Sequence, residues 1–334
     1  MINFRYHVVS LISVFLALAV GIILGAGPLK ESIGNQLSGQ VSSLRAEKEQ
    51  LRTDLDDART STDRGTTALA ALAPTVLDGV LAADQVTIVE VSPDLDDEFK
   101  AVSTQLKSAG ADVRGRIRLE SAWLSESGAD ARKEGVEAAL AAGLPIDTTA
   151  SEEKQLAQAL ALSVTMSASA TDHQLAAAAR TTLKALADAK LVTVERTPTV
   201  ASTKLLVLAG SADSQPEADG TTAPTDAKAL AYAQAREEEV VVALHTSVPG
   251  TIVAGPAGES DSLVAAVRHD GDLQVTVSTV SGVATLIGQV SVPLALADQA
   301  QGTVGHYGFD DGATQAVPPR PAAVAGSSTD TKKG

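Results

Sequence analysis

The chain has 334 residues, 44% of them hydrophobic but only 2% aromatic, a formal charge of −15, and no cysteine. Acidity on that scale repels phosphate backbones and argues against a nucleic-acid partner. The missing thiols exclude disulfides, zinc–thiolate centres, cysteine nucleophiles and thiolate copper sites. The length allows one large domain or two small ones, with a core built from Ala, Val and Leu.

Residues 8–27 carry no charge. Twenty residues at about 1.5 Å each span about 30 Å, the hydrocarbon thickness of a bilayer, so this stretch is expected to cross a membrane. A cleaved leader is the alternative. It needs small residues at −3 and −1 of the cut, and the pair available, Gly25 and Gly27, places Pro28 directly after it. An uncleaved signal anchor over 1–28 is therefore expected. Arg5 and the amino terminus lie on one side, and Lys30 is followed at once by Glu31 on the other. The positive-inside tendency then puts the N-terminus in the cytoplasm and the main domain outside the inner membrane. Ser13, Ala17, Gly21 and Gly25 recur every four residues, a small-residue helix face that permits close packing of two membrane helices.

A stalk over 29–62 follows. Leu37, Val41, Leu44, Lys48, Leu51, Leu55 and Ala58 alternate in steps of four and three, with Val41, Lys48 and Leu55 at position a and Leu37, Leu44, Leu51 and Ala58 at d. Val at a with Leu at d favours a two-stranded parallel coiled coil, and a single Lys at a specifies register. In such a homodimer the g-to-e′ pairs are Glu47 with Arg52 and Asp54 with Arg59, opposite in sign both times. An amphipathic helix packing on its own domain is the alternative.

After a connection over 63–84, residues 85–309 read as an extracytoplasmic α/β domain. The spacing predicts a strand at 85–91, a helix at 94–108 with Phe99, Val102 and Leu106 inward, and a strand at 112–119. Helices are expected near 129–142, 152–166 and 172–189, and a strand at 204–210. A flexible loop is expected over 211–226, then a helix at 227–238 and strands at 239–245 and 250–255. A helix at 259–268, a strand at 273–280 and a helix at 283–300 complete the series. Alternating β and α implies a largely parallel, Rossmann-like sheet with helices on both faces. Residues 310–334 read as a disordered tail rich in Pro, Ser, Thr and Lys.

No reaction centre emerges. "GPAGES" (255–260) opens a helix but is neither a dinucleotide nor a P-loop fingerprint, and Ser211 in "LAGSAD" has no nucleophile elbow around it. His7, His173, His245, His269 and His306 are scattered, and Met1 and Met166 make no thioether pair, so no metal site is nominated. Asp310 and Asp311 read as a solvated turn. No acid/base pair can be named, and an enzyme is not expected.

The two ends carry a resemblance. "NFRYHVVSLISVFLALAVGIILG" (3–25) resembles the start of the actinobacterial copper-transport protein family of the mycobacterial MctB type. "VSTVSGVATLIGQVSVPLALADQAQGTVGHYG" (277–308) resembles a second block of it, here Ser278–Thr279–Val280, Gly288–Gln289, Leu294–Ala295–Leu296 and Gly305–His306–Tyr307–Gly308. The order of anchor, short coiled coil and α/β domain is also similar. Ser281 stands where the family is expected to favour Asp. The resemblance implies copper efflux and homeostasis at the cell envelope, with an outer-membrane location; the residues themselves name no cofactor, and copper is the one the resemblance implies. Beside it stands the reading the residues themselves favour: a membrane-anchored dimeric scaffold or regulator whose α/β domain docks an envelope partner.

Overall fold

The computed structural model describes residues 4–167, 171–198, 201–210, 227–258 and 262–321, with the side chains of 26–38 and 227 outside that description. The expected flexible loop 211–226 and the tail from 322 onward lie outside the described residues, as does Leu37's side chain. The chain forms two compact units, Met1–Gly65 and Thr66–Gly334.

Helix α1, Phe4–Leu77, supplies the first unit and continues into the second. Its segment Phe4–Gly25, 22 residues, is long and apolar enough to cross a membrane. The connection expected over 63–84 is thus helical as far as Leu77, with Pro74 in the last turn. Ala73 and Leu77 are buried in the core of the second unit beside Leu81.

Among the described residues the second unit holds a seven-stranded sheet in the order β3-β2-β1-β4-β5-β6-β7. The strands are β1 Gln85–Glu90, β2 Asp112–Leu119, β3 Val192–Arg196, β4 Lys204–Leu208, β5 Thr251–Gly255, β6 Ser278–Ser281 and β7 His306–Tyr307. All neighbours are parallel except β3, which runs antiparallel to β2. The helices are α2 Asp96–Ser108, α3 Ser121–Leu124, α4 Ala129–Ala142, α5 Glu152–Met166, α6 His173–Asp188, α7 Ala227–Ser247, α8 Leu263–His269 and α9 Leu286–Ala300.

Period-2 alternation divides the strand residues between two cores. Leu205, Val207 and Val253 face α4 to α8, whereas Leu206, Leu208 and Ile252 face the end of α1, α2 and α9. Local chemistry fixes the helix ends. Ser151, Asp172, Ser262 and Thr285 each cap the first turn of a helix through a side-chain oxygen, and Gly143 ends α4 in the left-handed region.

Three expectations are corrected. Residues 239–245, expected as a strand, belong to α7. Ala233, Val240, Val241, Leu244 and Val248 are buried while Val242 is exposed, which is helical spacing. This helix is the crossover that lets β4 and β5 run parallel. The strand expected at 273–280 is a 3-10 turn, Leu273–Val275, followed by the short β6. The tail does not begin at 310: Asp310 is bonded to the fold, Gln315 pairs with Tyr307, and Arg320 donates to the Asp78 carbonyl at 2.9 Å.

Candidate functional site

The resemblance-bearing residues of the last third converge at the β6–β7 edge. Ser278 Oγ donates to Gln299 Oε1 at 2.6 Å and accepts from the Gly305 amide at 3.0 Å, tying β6 to α9 and to the approach to β7. Gln299 Nε2 donates to the Thr276 carbonyl at 2.8 Å. The Tyr307 hydroxyl donates to Asp298 at 3.3 Å. Burial first, and the nearby Asp298 carboxylate second, push the Tyr307 phenol up to about 12. Burial raises Asp298 as well, against the opposing hydrogen bond from Tyr307.

Arg268, near the end of α8, organises this edge. Its side chain is 1% exposed. Nε donates to Thr279 Oγ1 at 2.9 Å. Nη1 donates to Asp310 Oδ1 at 3.1 Å and to the Asp311 carbonyl at 3.0 Å. Nη2 donates to Ser281 Oγ at 3.4 Å and to the Tyr307 carbonyl at 3.0 Å. A guanidinium has five N–H groups, and these five bonds occupy them. Asp310 also accepts from Ser281 Oγ and from the Gly258 amide. Burial pushes its carboxyl up, but Ser281, the Gly258 amide and Arg268 outweigh that and hold it below the ordinary value. Far from forming a solvated turn, Asp310 supplies a carboxylate directly beside Ser281.

Thr279 Oγ1 lies 2.9 Å from His306 Nδ1, and His306 Nε2 lies 3.0 Å from the Gln274 carbonyl. Because a carbonyl only accepts, Nε2 carries the proton and Nδ1 accepts from the Thr279 hydroxyl, which itself accepts from Arg268. Burial, joined by the charge of Arg268, pulls the His306 pKa down. Neutral His306 therefore contributes stability above the ordinary value of about 6.5, and that stability is lost as pH falls below it. A His306→Gln chain should show a shallower loss of urea midpoint between about pH 6.5 and pH 5. His245, whose pKa burial also lowers, contributes to the slope that remains. An unchanged slope would contradict the neutral relay.

The motif glycines have steric roles. A Cβ on Gly288 would sit 2.2 Å from the Gly282 carbonyl oxygen, and one on Gly305 would sit 2.4 Å from the Tyr307 hydroxyl. Gly308 has φ +144, and a Cβ there would overlap Ser281 Oγ. Gln289 Nε2 donates to the Val283 carbonyl at 3.0 Å, closing the turn before α9. Beside them lies a cavity of about 150 Å³ lined by Ser281, Gly282, Thr285, Gly288, Gly308 and Phe309.

A second charged cluster sits where β1 and β2 end. Glu90 is fully buried, accepting from Arg116 Nε at 2.7 Å and Arg118 Nε at 3.0 Å. Arg116 also reaches Asp96 and Glu195, each at 2.6 Å, and stacks 4.0 Å over the Phe99 ring. Ligands of open α/β sheets bind at the carboxyl ends of the strands, where the order reverses. Here that point lies between β1 and β4. The Gly210 amide donates to Ser92 Oγ at 2.9 Å, and Asp96, Asp97 and Glu98 fill the first turn of α2. A helix N-terminus already carrying carboxylates does not attract a phosphate.

Among the described residues, no three His, Asp or Glu side chains are grouped to hold a metal ion. Both ring nitrogens of His306 are engaged, and the Arg268 donors are filled. The β6–β7 edge is built to hold a segment in place.

On an ideal helix the two predicted packing faces of the first unit point in different directions. At 100° per residue, the stripe of Ser13, Ala17, Gly21 and Gly25 is centred about 170° from the heptad seam, and about 100° away at 3.5 residues per turn. The two faces cannot serve one straight two-helix contact. Ser13 Oγ bonds back to the Val9 carbonyl at 2.8 Å.

Residues 1–318 match the model of a family described as "Copper transport outer membrane protein, MctB". The protein named copper transporter MctB from Mycobacterium tuberculosis (strain ATCC 25618 / H37Rv) is 29% identical over 326 residues, covering 94% of this chain and 98% of the relative. The protein of the same name from Mycobacterium leprae (strain TN) is 29% identical over 333 residues, 96% of this chain and 100% of the relative.

Proposed function

The chain belongs to the MctB family, and from that membership we propose that it serves copper transport and copper homeostasis at the cell envelope. The observation that carries this reading is the extent of the match, residues 1–318, with nearly the full length of relatives named as copper transporters. It is read as a transport protein and not an enzyme.

Phe4–Gly25 is the anchor in this reading. Arg5 and the amino terminus stay in the cytoplasm by the positive-inside tendency, and the α/β unit lies outside. A helical anchor favours the inner membrane. A closed outer-membrane barrel joins its first strand to its last, whereas the described sheet is open, with β3 and β7 at its edges. Copper is the cargo, and no resident metal enters the proposal.

Deleting the gene should make cells sensitive to copper concentrations that the parent tolerates and raise cell copper several-fold, a large effect if efflux is the role. The full chain should restore both, and a chain lacking residues 1–28 should not. Density-gradient fractionation should place the protein with the inner membrane. Unchanged copper tolerance and content would refute the transport reading.

One observation favours a second reading, a dimeric envelope scaffold: Val41, Leu44, Leu51 and Leu55 form an apolar ladder exposed on a single chain. On that reading the α/β unit docks an envelope partner, and copper tolerance does not depend on the protein.

A further inference from the structure

The heptad stretch of α1 leaves its apolar side chains bare. Val41 is 40% exposed, Leu55 49%, Leu51 62% and Leu44 64%. A leucine ladder on a helix in water is stabilised when a second surface covers it. The charges beside the ladder select that surface. Glu47 and Asp54 flank it at position g, and Arg52 and Arg59 at position e. An antiparallel pairing sets g against g′ and e against e′, which puts acid on acid and arginine on arginine. A parallel, in-register pairing sets Glu47 against Arg52 and Asp54 against Arg59 of a second copy. Within one chain these arginines make only long, exposed contacts, Arg52 to Glu49 at 3.7 Å and Arg59 to Asp56 at 3.8 Å. Their reach is open to a better partner.

We propose that residues 41–58 dock a second copy of this chain, parallel and in register, and that the small-residue stripe of the membrane segment takes no part in that contact. Val41 and Leu55 pack at a with Leu44 and Leu51 at d, a combination that favours two strands. Lys48 at a specifies register, because a one-heptad slip would set each Lys48 against the apolar Val41 or Leu55 of the other copy. The stripe is excluded by angle: it lies on another face of the same helix. The inference stands apart from the copper reading, and either can fail alone.

The chain has no cysteine, so each introduced thiol is the sole one. Full-length chains carrying Leu44→Cys, Leu51→Cys, Ala46→Cys, Thr53→Cys or Ala17→Cys would be oxidised in membranes and run on non-reducing gels. In a parallel dimer the d positions bring like residues within disulfide reach, and the f positions point away. Leu44→Cys and Leu51→Cys should form a species of twice the monomer mass about five-fold more than Ala46→Cys or Thr53→Cys. Ala17→Cys should stay at the level of the latter pair. Adding Glu47→Arg to Leu44→Cys should reduce crosslinking, and adding Arg52→Glu as well should restore it. Equal crosslinking at all positions, a maximum at Ala17→Cys, a product of another mass, or failure of the charge swap to restore would overturn the proposal.

Discussion

Replacing Arg268 with alanine is expected to destabilise the α/β unit by about 3–5 kcal/mol, the range for removing one partner of a buried ion pair. The side chain is 1% exposed and its five donors hold Thr279, Ser281, the Tyr307 carbonyl, Asp310 and the Asp311 carbonyl. Alanine leaves the Asp310 carboxylate, itself 15% exposed, with only Ser281 and the Gly258 amide. It also takes the Arg268 donor from the Asp311 carbonyl and leaves the Tyr307 carbonyl with the Ser281 hydroxyl at 3.2 Å. Lysine should recover only part of the loss, because one ammonium cannot reproduce the guanidinium's spread of five donors. Urea unfolding followed through Trp123, the sole tryptophan and 2% exposed, reads the cost. Amide exchange reads where it falls: residues 305–315 should lose protection first. An unchanged midpoint would mean that the Arg268 network contributes nothing net.

A loss of similar size, about 3–5 kcal/mol, is expected for Arg116→Ala. Glu90 is fully buried and would keep only Arg118, which is 21% exposed and stretched toward Glu195 and Asp96 as well. The substitution also removes the cation from the Phe99 face. Asp96 is held below its ordinary value by its hydrogen bond to Arg116 and then by that charge, so its carboxyl should move back up. Because Glu195 lies on β3, the antiparallel edge strand should fray. The checks are a urea midpoint and amide exchange over 192–196. Pairing Arg116→Ala with Glu90→Ala should cost less than the sum of the single changes, since the buried carboxylate goes with its partner. Full additivity would show that the two do not interact.

The sheet and most of its helices were legible in the sequence, and the reason is periodicity. α4 and α5 fall at 129–142 and 152–166 as expected, and β1, β2, β4 and β5 appear within a few residues of their predicted ends. The valines at 240–242 misled because β-branched residues favour strands. Yet the chain before them, "AYAQAREEE", is strongly helical, and burial of Val240, Val241 and Leu244 is compatible with a helix face. β3 and β7 are illegible in the sequence for a different reason. β3 exposes Glu195 and Arg196, and β7 has two residues, so neither offers a hydrophobic period to read. The residues of the β6–β7 edge were visible only as a block that resembles a family. Arg268 gave no signal, since one arginine at the end of "LVAAVRH" reads as a helix C-terminal charge. Its partners lie 11 to 43 positions along the chain, and only the folded sheet brings them to it.

The burial of Ala73, Leu77 and Leu81 in the α/β core bears on how the folded unit would be released from an anchor formed by Phe4–Gly25. A protease cutting α1 among the exposed residues 39–68 would set free a unit whose packing is complete. A cut closer than Ala73 would strip away apolar contacts that β1 and α2 rely on, and the shed fragment would unfold and be degraded. The safe window for shedding thus ends about one helical turn before Ala73.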